Sequence, residues 1–258
     1  MNRETVLSEH RHGVAVLTLN RTGKRNAFND QQYDDLRDAL ADAQGDETVK
    51  VTIITGALGA FSAGQDLGEM AAAQDHQDGM PHGFGPFLDR LSIFDKPLLA
   101  AVNGVGVGIG LTMLLHCDIV FMADSARLRA PFVSLGLVPE AASSFLLQAI
   151  VGPQVAARLL YTSTWIDAQW AVALGLAAAR FPDRELLDRT LQEADDIARQ
   201  PASALRRTKQ LLLAVRADLL AAARRREESA MALSVGSPSN IEAIRAFREK
   251  RPPDFTGL

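Results

Sequence analysis

The sequence has one cysteine, Cys117, in 258 residues. A single thiol builds neither a disulfide framework nor a zinc cluster. Its neighbours in LLHCDIV are mostly apolar, so a buried, inert thiol is expected. Long apolar runs are missing too, and none approaches the roughly 20 residues of a membrane span. The stretch MNRETVLSEHRHGVAV is polar and lacks the apolar centre of a signal peptide, so the cytoplasm is the expected compartment. There is no excess of positive charge. A net charge of -4 and a pI near 5.8 argue against a general nucleic-acid binder.

Several catalytic signatures are also absent. No G-x-S-x-G elbow occurs, which leaves a hydrolase triad unsupported. His10, His12, His76, His82 and His116 show no ligand spacing with cysteine or acids, so no metal is expected. The glycines at 104, 106, 108 and 110 fit neither the dinucleotide fingerprint nor the G-x-x-x-x-G-K phosphate loop. No fixed-period repeat or low-complexity tract is present.

What is there suits a folded chain with a sizeable core: 47% of the residues are hydrophobic and 22% charged. Val14 to Leu19, Lys50 to Thr55, Leu98 to Val102 and Asp118 to Ala123 read as buried strands, and LRAPF continues the extended pattern. Asn29 is placed to cap a helix that carries Tyr33, Leu36 and Leu40 on one face. Strands alternating with helices define an α/β class. From Pro139 onward no further strand is expected. Helices are expected over 141–150, 153–161, 167–174, 184–199, 202–215, 217–234 and about 240–250. A core over 1–198 and a helical region over 199–258 follow. The segment 71–86 reads as a loop, and RRTKQ and RRREES read as solvated helix faces.

Three stretches carry candidate chemistry. A strand ends near Thr55, the small residues of AFSAGQDLGEM follow, and Gln65 or Asp66 opens a helix whose free N–H groups suit developing negative charge. A tight strand-to-helix connection without a ligand explains the same pattern. In AAVNGVGVGIGLTMLL the glycines allow either close backbone approach to a ligand or close packing of a helix on a sheet, with a helix starting near Ile109 or Gly110. In RAPFVSLGLVPEAASSF, Glu140 is the lone acid of an apolar run. Pro139 suits the first position of a helix, which puts Glu140 in the first turn, where the helix dipole favours it.

Taken together and in order, VAVLTLNRTGKRNAF, FSAGQDL, KPLLAAVNGVGVGIGLTMLLHCDIVFMADSARL, PFVSLGLVPE and FREKRPPDF resemble the crotonase, or enoyl-CoA hydratase/isomerase, superfamily over nearly the whole chain. The resemblance implies a spiral of ββα units, a helical C-terminal part used in a homotrimer or dimer of trimers, and an acyl-CoA thioester as ligand. It implies no separate cofactor, since CoA is part of the substrate. It also implies an oxyanion hole made by the backbone N–H groups of Gln65 and Ile109. Hydratases of this family carry two glutamates at the places that Thr112 and Phe132 hold here, and neither of these is a general base. The stretch PFVSLGLVPEAASS instead looks like the Δ3,Δ2-enoyl-CoA isomerase branch, which implies Glu140 as the base. Hydration, thioester hydrolysis and silent acyl-CoA binding are the alternatives.

For CoA, the resemblance suggests Lys24, Arg25, Lys250 and Arg251 near the phosphates. The backbone of Ala63, Gly64, Gln65, Asp66 and Leu67 would meet the adenine and pantetheine. Phe132, Leu135 and Thr112 are expected at the acyl pocket, walled in part by loop 71–86. Among Phe132, Leu135, Leu137 and Val138 the Glu140 carboxyl should have a raised pKa.

Overall fold

The computed structural model describes residues 3–68 and 82–258. A six-stranded sheet forms the centre. Its strands are β1 (Val6–Arg11), β2 (Val14–Leu19), β3 (Val51–Gly56), β4 (Leu98–Val102), β6 (Ile119–Ala123) and β9 (Ala179–Phe181), in the order β1-β2-β3-β4-β6-β9. The β1–β2 pair is antiparallel and the other pairs are parallel. Strands β3 and β4 are buried along their whole length. Such continuous apolar runs mark strands covered on both faces.

A second, smaller layer contains β5 (Val105–Val107), β7 (Arg127–Arg129) and β8 (Ile166–Asp167), in the order β5-β7-β8. Two parallel bridges extend it, Phe28 with Gln65 and Ser62 with Gly106. The chain therefore visits the large sheet and then the small layer in successive turns. The expected ββα spiral is this alternation.

Helix α1 (Asp30–Gly45) begins where expected, with the Asn29 side chain accepting from Gln32 N at 3.0 Å. Tyr33, Leu36 and Leu40 are all buried. Helix α2 (Phe84–Ser92) packs against α1. A short helix, α3 (Ile109–Thr112), follows β5. Of the expected loop 71–86, residues 71–81 lie outside the described residues, and Phe84 to Pro86 belong to α2 rather than to a loop.

The later half corrects several expectations. Helices α4 (Ser143–Val151) and α5 (Pro153–Thr162) start close to their expected places. Strands β8 and β9 occur beyond Pro139, flanking α6 (Ala168–Ala173). They are two and three residues long, too short to leave an alternating pattern. After α7 (Leu186–Ala198), one continuous helix α8 (Ala202–Ser234) replaces the two expected. No glycine or proline lies between 202 and 234 to break it. Helix α9 (Pro238–Glu249) closes the fold. No helix among the described residues is long and apolar enough to cross a membrane.

Two buried charges correct the reading of RRTKQ and RRREES as solvated faces. Lys209 is 4% exposed and pairs with Asp118, whose oxygens lie 2.6 and 2.7 Å from its Nζ. Glu227 is 6% exposed. Most of their neighbours in these runs do face water.

Candidate active site

Two main-chain N–H groups are left free by the way the small layer is built. In the Phe28–Gln65 bridge, Phe28 N donates to Gly64 O at 2.7 Å and Asp66 N donates to Phe28 O at 2.8 Å. The N–H of Gln65 between them points the other way, and it donates to no described residue. Gly64 makes this possible. Its φ is +93°, and a Cβ there would stand 2.8 Å from Val107 O. An L side chain fits neither condition. The second group is the N–H of Ile109, the first residue of α3. Gly108, at φ +53°, turns the chain, and the carbonyl of Gly108 accepts from Leu111 N and Thr112 N. Ile109 N has no acceptor among the described residues, as the first residues of a helix require.

Glu140 lies between Pro139 and the start of α4 at Ser143, not inside a first helical turn as expected. Ala141 and Ala142 follow with φ of 58° each, left-handed values for two alanines in succession. Such residues cost about 1–2 kcal/mol each. The strained turn delays the helix and sends the Glu140 side chain into the interior. Thr112 Oγ1 donates to Glu140 Oε1 at 2.5 Å, while Oε2 is buried without a hydrogen-bond partner. Burial raises the Glu140 pKa from 4.5 to about 8, against the lowering effect of the Thr112 bond and with a further rise from Glu227. A buried carboxyl with one bare oxygen and a pKa near neutrality is poised to exchange a proton.

These pieces meet in one cavity of about 590 Å³. Ala63, Gly64, Gln65, Asp66 and Leu67 line one side, and Ile109, Phe132, Leu135 and Glu140 another. Asp66 is held by Arg21 at 3.2 Å, which leaves Glu140 as the carboxyl in the described wall without an ion pair. Thr112 is fully buried behind Glu140 and is absent from the wall, so it touches the carboxyl and not the pocket.

The cations fall into two groups. Arg251 reaches the wall but is bound by Glu242 and Glu249, each at 2.6 Å. Lys24, Arg25 and Lys250 are exposed outside the wall. Among the described residues no cluster of three potential metal ligands occurs.

Several wall residues carried no functional signal in the sequence. Tyr33 was legible only as a core position of α1, yet it faces the cavity and donates to Gln65 Oε1 at 2.9 Å. Burial, then the charges of Glu140 and Asp30, push its phenol well above 10. Phe84, Arg129, Trp165, Met231 and Phe247 also line the space. They come from five separate elements or connections, and sequence spacing cannot bring them together.

A spiral of strand pairs, with Gln65, Ile109 and the buried Glu140 on the wall of one cavity, is the architecture of the crotonase superfamily. The chain belongs to the enoyl-CoA hydratase/isomerase family, whose model matches residues 9–258, and it is an acyl-CoA enzyme of that family. Among its relatives, the 2,3-dehydroadipyl-CoA hydratase of Escherichia coli (strain K12) is 36% identical over 247 residues, 95% of each chain. The 1,2-epoxyphenylacetyl-CoA isomerase of the same organism is 33% identical over 259 residues, covering 98% of this chain and 99% of that one. The crystal structure of an enoyl-CoA hydratase/isomerase from Pseudoalteromonas atlantica T6c superposes with a TM-score of 0.91 at 35% identity, over 97% of this chain and 99% of the other.

Proposed function

We propose that the protein moves the double bond of a 3-enoyl-CoA to give the 2-trans-enoyl-CoA, with Glu140 as the single proton shuttle. The observation that carries this reading is the solitary, half-bonded Glu140 carboxyl in the cavity wall. Its Oε2 removes a proton from C2 of the acyl chain and returns it at C4. In between, negative charge moves onto the thioester oxygen. The N–H groups of Gln65 and Ile109 stabilise that enolate, each contributing roughly 10²–10³ in rate, as donors of this kind do. Apolar side chains such as Phe132 and Leu135 keep water away. No cofactor takes part. Lys24, Arg25 and Lys250 are the cations free to meet the CoA phosphates, since Arg251 is committed to Glu242 and Glu249.

Hydration of a 2-enoyl-CoA is the second reading, favoured by the relative named as a hydratase. It needs a positioned water as well as a base. By the family resemblance, the places of the two hydratase glutamates are held by Thr112 and Phe132, and neither is a general base.

Supplying 3-hexenoyl-CoA and 2-hexenoyl-CoA separately, with Glu140→Ala alongside, tests both. The expected result is conversion of the 3-enoyl to the 2-enoyl thioester, lost in the variant, with binding of acyl-CoA retained. A 3-hydroxyacyl product from the 2-enoyl substrate overturns the isomerase reading in favour of hydration. Release of free CoA thiol points to hydrolysis. Assembly is proposed to follow the helical region. Leu211, Leu212, Val215 and Leu219 stand exposed along α8, an apolar stripe that supports subunit contacts in a trimer or dimer of trimers.

A further inference from the structure

We infer that Glu227, on helix α8, is a positioning residue that clamps the turn carrying Glu140. The inference rests on the reading of Glu140 as the base and adds to it a requirement from a distant part of the chain. Glu227 Oε2 accepts from Ala142 N and Oε1 accepts from Ser144 N, each at 2.7 Å. Both carboxylate oxygens are therefore held by main-chain N–H groups of the segment directly after Glu140. Glu227 itself is buried and does not reach the cavity. It touches no reacting atom.

The turn needs such a clamp. Ala141 and Ala142 are both in the left-handed region, which alanine avoids. Inside the segment, Ser143 N and Oγ both donate to Glu140 O, at 3.0 and 2.6 Å. From the other side His116 Nε2 donates to Ala141 O at 2.9 Å. A carbonyl only accepts, so Nε2 carries the proton. Burial lowers the His116 pKa to about 4, which makes the ring a neutral donor at neutral pH. Glu227 supplies the one charged contact of this set. Without it the N–H groups of Ala142 and Ser144 lose their acceptors, and the turn that aims the Glu140 side chain keeps only neutral contacts.

Arg216, Arg224 and Lys209 act on the His116 ring, and burial raises the Glu227 carboxyl against its bonds from Ser144 and Ala142. Glu140 is raised by Glu227, Tyr33 is raised by Glu140, and Glu228 neighbours Glu227 on α8. Arg224, one turn earlier, is tied to Asp89. Removing the Glu227 charge therefore acts on Glu140 by taking away a like charge, and the Glu140 midpoint should fall.

Glu227→Gln tests this while keeping the side chain's size. The amide offers one acceptor and turns its NH₂ toward the other N–H. Carbon-13 NMR of glutamate-labelled protein reads the Glu140 midpoint, with the resonance assigned by its loss in Glu140→Gln. In Glu227→Gln the midpoint is expected to fall, and kcat for 3-hexenoyl-CoA to drop on the order of 10–100-fold, with KM within about twofold. In Glu227→Asp the charge returns without the reach, so the midpoint recovers and kcat stays low. A wild-type kcat in folded Glu227→Gln overturns the inference. If the wild-type protein does not isomerise, the reading of the base fails by itself, and amide exchange at Ala142 and Ser144 then decides on the clamp. Amide exchange in the wild-type protein needs no variant. Ala142 and Ser144 should exchange slowly, and exchange at open-turn rates overturns the clamp.

Discussion

Thr112 Oγ1 and Glu140 Oε1 lie 2.5 Å apart, and the bond joins a residue of α3 to the turn before α4. One end of α3 thus offers the Ile109 N–H and the other holds the carboxyl. The two halves of the proposed chemistry are fixed relative to one another by four residues of helix.

Replacing Thr112 by valine keeps the volume and removes the donor. That bond favours the charged carboxylate, so its loss raises the Glu140 pKa above about 8. The acid limb of kcat/KM should move up by about one pH unit, and turnover near pH 7 should fall by about tenfold. A pH–rate profile for Thr112→Val against wild type measures it. A limb that stays in place would mean that the hydroxyl does not hold the carboxylate.

The same raised pKa makes a statement about stability. Below the ordinary value of 4.5, folded and unfolded chains both carry the Glu140 proton. Between there and about 8 the unfolded chain has released it and the folded protein keeps it. Stability from this group therefore falls as pH rises across that window, by roughly 1.4 kcal/mol per pH unit, and levels off above it. Urea unfolding from about pH 5 to about pH 9 should show wild type losing stability relative to Glu140→Gln. A constant difference would contradict the burial of an ionisable carboxyl there.

Gly64→Ala is expected to damage both fold and site. The added methyl meets Val107 O at 2.8 Å, and the φ of +93° strains any L residue. The cost should be about 1–3 kcal/mol, read as a lower urea midpoint. Because Gln65 N is the next donor in the chain, kcat should drop more than KM rises. A folded variant with unchanged kcat would remove the Gln65 N–H from the mechanism.

The sequence was most legible where one local rule decided the outcome. Val14–Leu19 and Leu98–Val102 are buried strands with apolar runs of the right length, and Asn29 announces α1. Strand β1 leaves no apolar run in the sequence because VLSEHR is an edge strand whose residues after Val6 face water. The helix expected from Pro139 begins four residues later because two left-handed alanines intervene, and alanine gives no hint of that conformation. The cavity was legible in its backbone segments, where glycine marks the geometry. Its far wall and its clamp were not. Glu227 sits in RRREES among side chains that do face water, and only the packing of α8 on α4 selects it for burial.

The cavity wall runs in sequence from Ala27 to Pro253. During synthesis the sheets are complete well before Met231, Ala243, Phe247 and Pro253 leave the ribosome. Every described strand thus precedes the last side of the pocket in the chain. Truncation before Met231 should therefore cost the pocket one side before it costs the fold a strand.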